Sequence, residues 1–178
     1  MSKEIFKFRC DGKEIIIRPH KPTDSISEIT ELLHKSYKQL ADMGFRYLAT
    51  HQDDNETEKR LKKGISYLAL DEEKIISTVS LYHNNSESYN CNWYQKKNVA
   101  HFGQFGVLPE YQKKGIGNYM MDVVEAKAKE LGETELALDT AEGAEHLIYF
   151  YKRRGYRFIE YVNWDVTNYR SVIMSKKL

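Results

Sequence analysis

Between Gln112 and Gly117 the chain reads Gln-Lys-Lys-Gly-Ile-Gly and then continues as a run with helical spacing. A helix start leaves several backbone N–H groups without intrahelical acceptors, all aimed at one region where the dipole adds partial positive charge. Gly115 and Gly117 lack a Cβ, so a bulky phosphate can approach the main chain, and Lys113 and Lys114 add charge at the same spot. The chemistry on offer is diphosphate binding. A bare Gly-x-Gly more often only starts a helix, so the surroundings decide. GxxxxGK[ST] is absent and the loop does not continue as GxGxxG, which excludes the phosphate loop of nucleotide hydrolases and the dinucleotide fold. Upstream, Gly103 and Gly106 interrupt an otherwise apolar strand, the mark of a bulge or of close approach by a ligand or another backbone.

Other reactive side chains give weaker signals. His101 and Gln104 share that strand, but their opposite parity puts at most one of them into a cleft unless a bulge intervenes. Glutamine cannot act as a base, and no isolated carboxylate or histidine stands in a diagnostic arrangement, so water-relayed deprotonation is the expectation. Cap and turn roles account for Asp139, Thr140 and Glu142. Asp53, Asp54, Glu56 and Glu58 could attract a cationic amine, but the helix dipole already accounts for them, and core packing is preferred to the lining of an acceptor pocket for Tyr161, Trp164 and Tyr169.

The elements that must position the loop follow from periodicity. Ile15 to Ile17 suits a buried strand closed by Pro19 and Pro22, and Met1 to Cys10 shows no continuous apolar region. Asp24 or Ser25 caps a helix in which Ile26, Ile29, Leu32, Leu33, Tyr37 and Leu40 recur until Gly44. A second helix covers Gln52 to Lys63, acidic first and basic last. Ile65 to Leu70 and Lys74 to His83 form a hairpin about Asp71-Glu72-Glu73. Asn84 to Asn98 reads as a long surface loop in which Trp93 and Tyr94 raise the alternative of a substrate cover. Strand Val99 to Leu108, helix Gly115 to Leu131 and strand Thr134 to Leu138 make a parallel crossover. A helix over Ala144 to Arg154 and strands about Tyr156 to Val162 and Tyr169 to Ser175 complete the chain.

With 178 residues, 41% hydrophobic and 30% charged, the chain fits one folded domain over 1–178. The 27 basic and 26 acidic residues leave a net charge of +1, which gives no general attraction for nucleic acid or anionic lipid. Cys10 and Cys91 have no paired spacing, so free thiols and no metal site are expected. The absence of a secretory leader and of a membrane-spanning run points to the cytoplasm.

Val107-Leu108-Pro109-Glu110-Tyr111-Gln112-Lys113-Lys114-Gly115-Ile116-Gly117 resembles the signature of the GNAT superfamily of N-acetyltransferases. Gln112, Gly115 and Gly117 match its core pattern. Tyr149-Phe150-Tyr151-Lys152-Arg153-Arg154-Gly155-Tyr156 is similar to the family's aromatic-Tyr-x-x-x-Gly-aromatic segment. The resemblance covers about Ile65 to Tyr161 and implies a mixed α/β fold whose central sheet, mostly antiparallel, splays at two parallel strands and carries about four helices.

The resemblance further implies acetyl-CoA as acyl donor and direct attack by the primary amine of a small molecule, peptide or protein. It places the pantetheine against Phe105, Gly106 and Val107, and the pyrophosphate at Gln112, Lys113, Lys114, Gly115, Ile116, Gly117 and Asn118. Tyr151 takes the position of the acid that protonates the departing thiolate; a phenol with a pKa near ~10 can donate to a thiolate whose conjugate acid lies near ~8.5. One position departs from the pattern: Ala144 stands where many members carry Asn, so a cofactor contact is missing. The alternative function is a noncatalytic CoA-binding regulatory module. The acceptor amine is undetermined, no nucleic acid or membrane partner is indicated, and a homodimer is compatible with the sequence.

Overall fold

The computed structural model describes residues 5–83 and 91–178. The chain opens on a hairpin, β1 (Phe6–Cys10) and β2 (Lys13–Pro19), turned by Asp11 and Gly12, both with positive φ (49° and 80°). Two left-handed residues in a two-residue turn match the twist of the flanking strands. Strand β1 was not expected, because its side chains alternate instead of forming an apolar run; the Asp-Gly pair was the available signal.

Helix α1 (Ile26–Asp42) starts at Ser25, whose Oγ accepts from the Glu28 N–H at 3.2 Å. Asp24 instead forms a two-pronged pair with Arg18 at 2.7 and 2.8 Å. Helix α2 (Asp54–Lys63) is capped by Asp53, and the hairpin β3 (Ile65–Asp71) and β4 (Lys74–Tyr82) follows as expected. Then come β5 (Val99–Val107), α3 (Ile116–Glu130), β6 (Glu135–Ala141), α4 (Glu145–Arg153), β7 (Arg157–Asn163) and β8 (Arg170–Lys177). Within the expected loop over Asn84 to Asn98, residues 84–90 lie outside the described residues. Residues 91–98 are not simply solvated, since Cys91 and Tyr94 are buried against Val99, Ala137 and Ile173.

The eight strands form one sheet in the order β1-β2-β3-β4-β5-β6-β8-β7, antiparallel except between β5 and β6. Strand β8 inserts between β6 and β7. Gly106 faces Leu32 and Ser36 of α1, whereas Phe105 and Val107 face Gly117 of α3. These two helices therefore cover opposite faces of the sheet.

Strands β5 and β6 pair only at Val99↔Glu135, Ala100↔Leu136 and His101↔Ala137, then separate. Tyrosines occupy backbone groups on both sides of the gap: the Tyr37 hydroxyl donates to the Phe105 carbonyl at 3.0 Å, and the Tyr47 oxygen accepts the Ala141 N–H at 2.9 Å. With those groups satisfied, the open ladder leaves them no unpaired polar atoms.

Candidate active site

Two cavities open along this gap. The larger, about 520 Å³, is lined by α1, the end of β5, the start of α3 and α4. The smaller, about 370 Å³, lies between α2, the β4–β5 pair, the end of β6 and the β7–β8 connection. Tyr37 borders both. Their meeting point is the carboxyl end of the parallel strands, where sheets of this kind hold ligands.

Of the residues read as pyrophosphate and pantetheine contacts, Phe105, Gly106, Val107, Gln112, Lys113, Gly115, Gly117 and Asn118 line the larger cavity. Gly115 caps α3 with φ 86°, and the first intrahelical bond runs from the Tyr119 N–H to the Gly115 carbonyl. The N–H groups of Ile116, Gly117 and Asn118 therefore have no acceptor within the helix. A Cβ on Gly117 would stand 3.5 Å from Phe105 and 3.9 Å from Val107, filling part of the approach to those groups.

Two of the named side chains turn elsewhere. Ile116 is buried in the core, and Lys114 pairs with Asp11 at 2.8 Å, although its backbone remains in the loop. Gln112 donates to the Val107 carbonyl at 3.0 Å, and Asn118 accepts from Arg154 at 3.1 Å. Ala144 starts α4 without a side-chain cap and packs against Leu40, Tyr47 and Ala141.

Tyr151 lines the same cavity, buried between the rings of Phe102, Phe150 and Tyr156 at 6.1, 5.2 and 5.9 Å. Burial, and then the neighbouring Tyr37, Tyr47 and Asp139, hold its phenol well above its ordinary range, so it stays protonated at neutral pH.

The smaller cavity corrects the reading of β5. Gln104 has φ 48°, and the register with β4 slips so that Thr78 faces Gly106 while Ser80 faces Gly103. This bulge cancels the parity argument, and both His101 and Gln104 line the cavity. His101 is buried, stacked on Tyr94 at 4.2 Å, and pushed down to about 3 by burial and by Lys63 and Arg60. It is a neutral and weak base.

The residue that sequence reasoning missed is Asp139. It lies past the last β5–β6 pair and borders the cavity, accepting long hydrogen bonds from Trp164 Nε1 (3.2 Å), Tyr94 (3.3 Å) and Ser171 (3.4 Å). Burial raises its carboxyl above the ordinary range against the lowering effect of those donors and of Arg60. A carboxylate directly after the apolar run Leu136 to Leu138, at the carboxyl end of a parallel strand, was the readable signal. Trp164 and Tyr169, for which packing was preferred, line this cavity, whereas Tyr161 is exposed beneath Arg170 at 4.0 Å.

The depressed His101 has a measurable consequence. Its folded pKa lies below the unfolded value near ~6.5, so the unfolded chain binds the extra proton and stability is lost as pH falls from ~6.5 toward about 3. Thermal unfolding should show a slope of about 1.4 kcal/mol per pH unit from this residue below pH ~6. His101→Phe should flatten that slope; an unchanged slope contradicts the assignment.

The model of the acetyltransferase (GNAT) family matches residues 26–156. The S-(2-succino)cysteine N-acetyltransferase of Bacillus subtilis (strain 168) is 27% identical over 134 residues, covering 72% of this chain and 76% of that one. Among solved structures, a GNAT family acetyltransferase from Elizabethkingia anophelis with acetyl-CoA bound superposes with a TM-score of 0.65 at 20% identity, over 92% of this chain and 98% of that chain. The GNAT domain of S. lividans PAT gives 0.72 at 15% identity, over 98% and 97%. These structural likenesses show the same overall fold. Among the described residues, no helix is long and apolar enough to cross a membrane.

Proposed function

The chain belongs to the acetyltransferase (GNAT) family, an N-acetyltransferase in which acetyl-CoA is the donor, and from that premise we propose where each partner binds and how transfer proceeds. Acetyl-CoA lies in the larger cavity, with its diphosphate on the N–H groups at the start of α3 and its pantetheine along Phe105 to Val107. A primary amine enters the smaller cavity from the opposite side and attacks the thioester carbonyl directly. The observation that carries this reading is the pair of cavities meeting at the splay, with Tyr151 bordering one and Asp139 the other.

An attacking amine must lose a proton, and the departing thiolate must gain one. Asp139 suits the first task, because burial strengthens it as a base and its donors leave it oriented at the cavity. Tyr151 suits the second: it remains a phenol at neutral pH and can donate to sulfur as the C–S bond breaks. The thiolate would be desolvated in the same cavity, so its proton affinity rises together with that of the phenol.

The curated relative acts on S-(2-succino)cysteine, an amino acid derivative, which supports a small-molecule acceptor over a protein one. A purely regulatory CoA-binding module would have no need of a buried phenol bordering one cavity and a buried carboxylate bordering the other. Two-substrate kinetics tests the scheme. Direct attack requires both substrates bound together and gives intersecting double-reciprocal lines; parallel lines, signifying an acetylated enzyme, would overturn it.

A further inference from the structure

We infer that Arg60 and the side-chain amide of Gln104 form a carboxylate subsite in the smaller cavity, so that the acceptor is the amine of a small amino-carboxylate, a free amino acid or a near relative. The inference rests on the reading of that cavity as the acceptor site, and it names the chemical class of the acceptor.

Arg60 reaches the cavity from α2 past Gly103, where a Cβ would stand 3.3 Å from Nη2. Its Nη1 donates to Gln52 Oε1 at 2.7 Å. A guanidinium can only donate, which fixes the orientation of the Gln52 amide. Gln52 Nε2 then donates to Thr57 Oγ1 at 2.6 Å and to Gln104 Oε1 at 2.8 Å.

That chain of bonds leaves Gln104 presenting an NH₂ group. Gln104 is 2% exposed, and its Nε2 has no acceptor among the described residues. A buried donor without a partner is costly, and here it sits on a residue held in left-handed backbone at a bulge, φ 48°. An oxyanion from a ligand would satisfy it.

Charge points the same way. Along α2, Lys59 and Lys62 hold Glu56 and Glu58 at 3.6 and 2.7 Å, whereas Arg60 pairs with no carboxylate among the described residues. A charged guanidinium beside an orphaned amide donor is a two-point receptor for a planar carboxylate. Asp139 borders the same cavity and is close enough to Arg60 for the guanidinium to influence its titration. A zwitterion satisfies both: carboxylate at Arg60 and Gln104, ammonium at Asp139. A polyamine would instead bring positive charge against Arg60. The volume of about 370 Å³ lies at the small end for ligand cavities, fitting a molecule of amino acid size.

The test is acetyl transfer from acetyl-CoA to the proteinogenic amino acids, each beside its methyl ester and its decarboxylated amine, followed by thiol release and product mass. The wild type should acetylate at least one free acid at least about tenfold more efficiently than its ester or decarboxylated partner. Arg60→Gln should raise KM for that acid by roughly 10- to 30-fold, leaving the KM for acetyl-CoA and for the ester nearly unchanged, while any change in kcat through the influence of Arg60 on Asp139 falls on acid and ester alike. Arg60→Lys should restore part of the loss, and Lys62→Gln, on the outer surface of the same helix, should change none of these values. Esters used as well as acids, or an Arg60→Gln rise in KM equal for acids and esters, overturns the subsite while leaving amine acetylation standing. If acetyl-CoA binds but no amine in the set is acetylated, the small-amine acceptor reading falls, and the subsite falls with it.

Discussion

Asp139→Asn should lower kcat by roughly 10²- to 10⁴-fold, the range for loss of a positioned general base, with the KM for acetyl-CoA nearly unchanged. Asn keeps the shape and, with its oxygen in the place of Oδ2, can still accept from Trp164 Nε1 and Ser171 while its NH₂ group donates to the Tyr94 oxygen, so the three groups that orient the native carboxylate keep a partner. It cannot take a proton from the bound ammonium. The variant should also gain stability relative to wild type as pH rises. Burial raises the folded pKa of Asp139 above its unfolded value near ~3.9, so ionising it costs stability above that pH, and Asn removes the cost. Lost activity with stability held or gained separates a catalytic base from a structural carboxylate. Wild-type turnover in Asp139→Asn, or a variant that fails to fold, contradicts the role.

Tyr151→Phe should reduce the chemical rate about 10²-fold while acetyl-CoA binds as before. The ring that fills the space between Phe102, Phe150 and Tyr156 is retained, so packing is preserved and only the hydroxyl is removed. Single-turnover acetyl transfer separates this from an effect on product release. A rate equal to wild type removes Tyr151 from the proton path; a rate loss accompanied by an equal loss of acetyl-CoA affinity makes it a binding residue instead.

The contrast between these residues and the loop shows where the sequence is informative. Gln112 to Gly117 was legible because a helix start requires little more than local chemistry: glycine geometry, unpaired N–H groups and neighbouring charge. The same holds for α1 and α2, whose caps and periodicity are written in consecutive residues, and for the β3–β4 hairpin. Features that depend on distant segments were not legible. A single left-handed residue at Gln104 reverses the parity that would otherwise separate it from His101. Asp139 reads as an ordinary turn residue until β8 and the β7–β8 connection bring Ser171 and Trp164 to it. Arg60 reads as one more basic residue closing α2 until Gly103 gives it a path inward. The order of strands around β8 is likewise a property of the sheet, since chain order would set β7 beside β6.

The structure of this protein with CoA bound tests the central assignment most directly. The diphosphate is expected on the backbone N–H groups between Gly115 and Asn118, the pantetheine along Phe105 to Val107, and the sulfur within hydrogen-bonding reach of the Tyr151 hydroxyl at the edge of the cavity bordered by Asp139. A diphosphate bound away from the start of α3, or a sulfur remote from Tyr151, would contradict it.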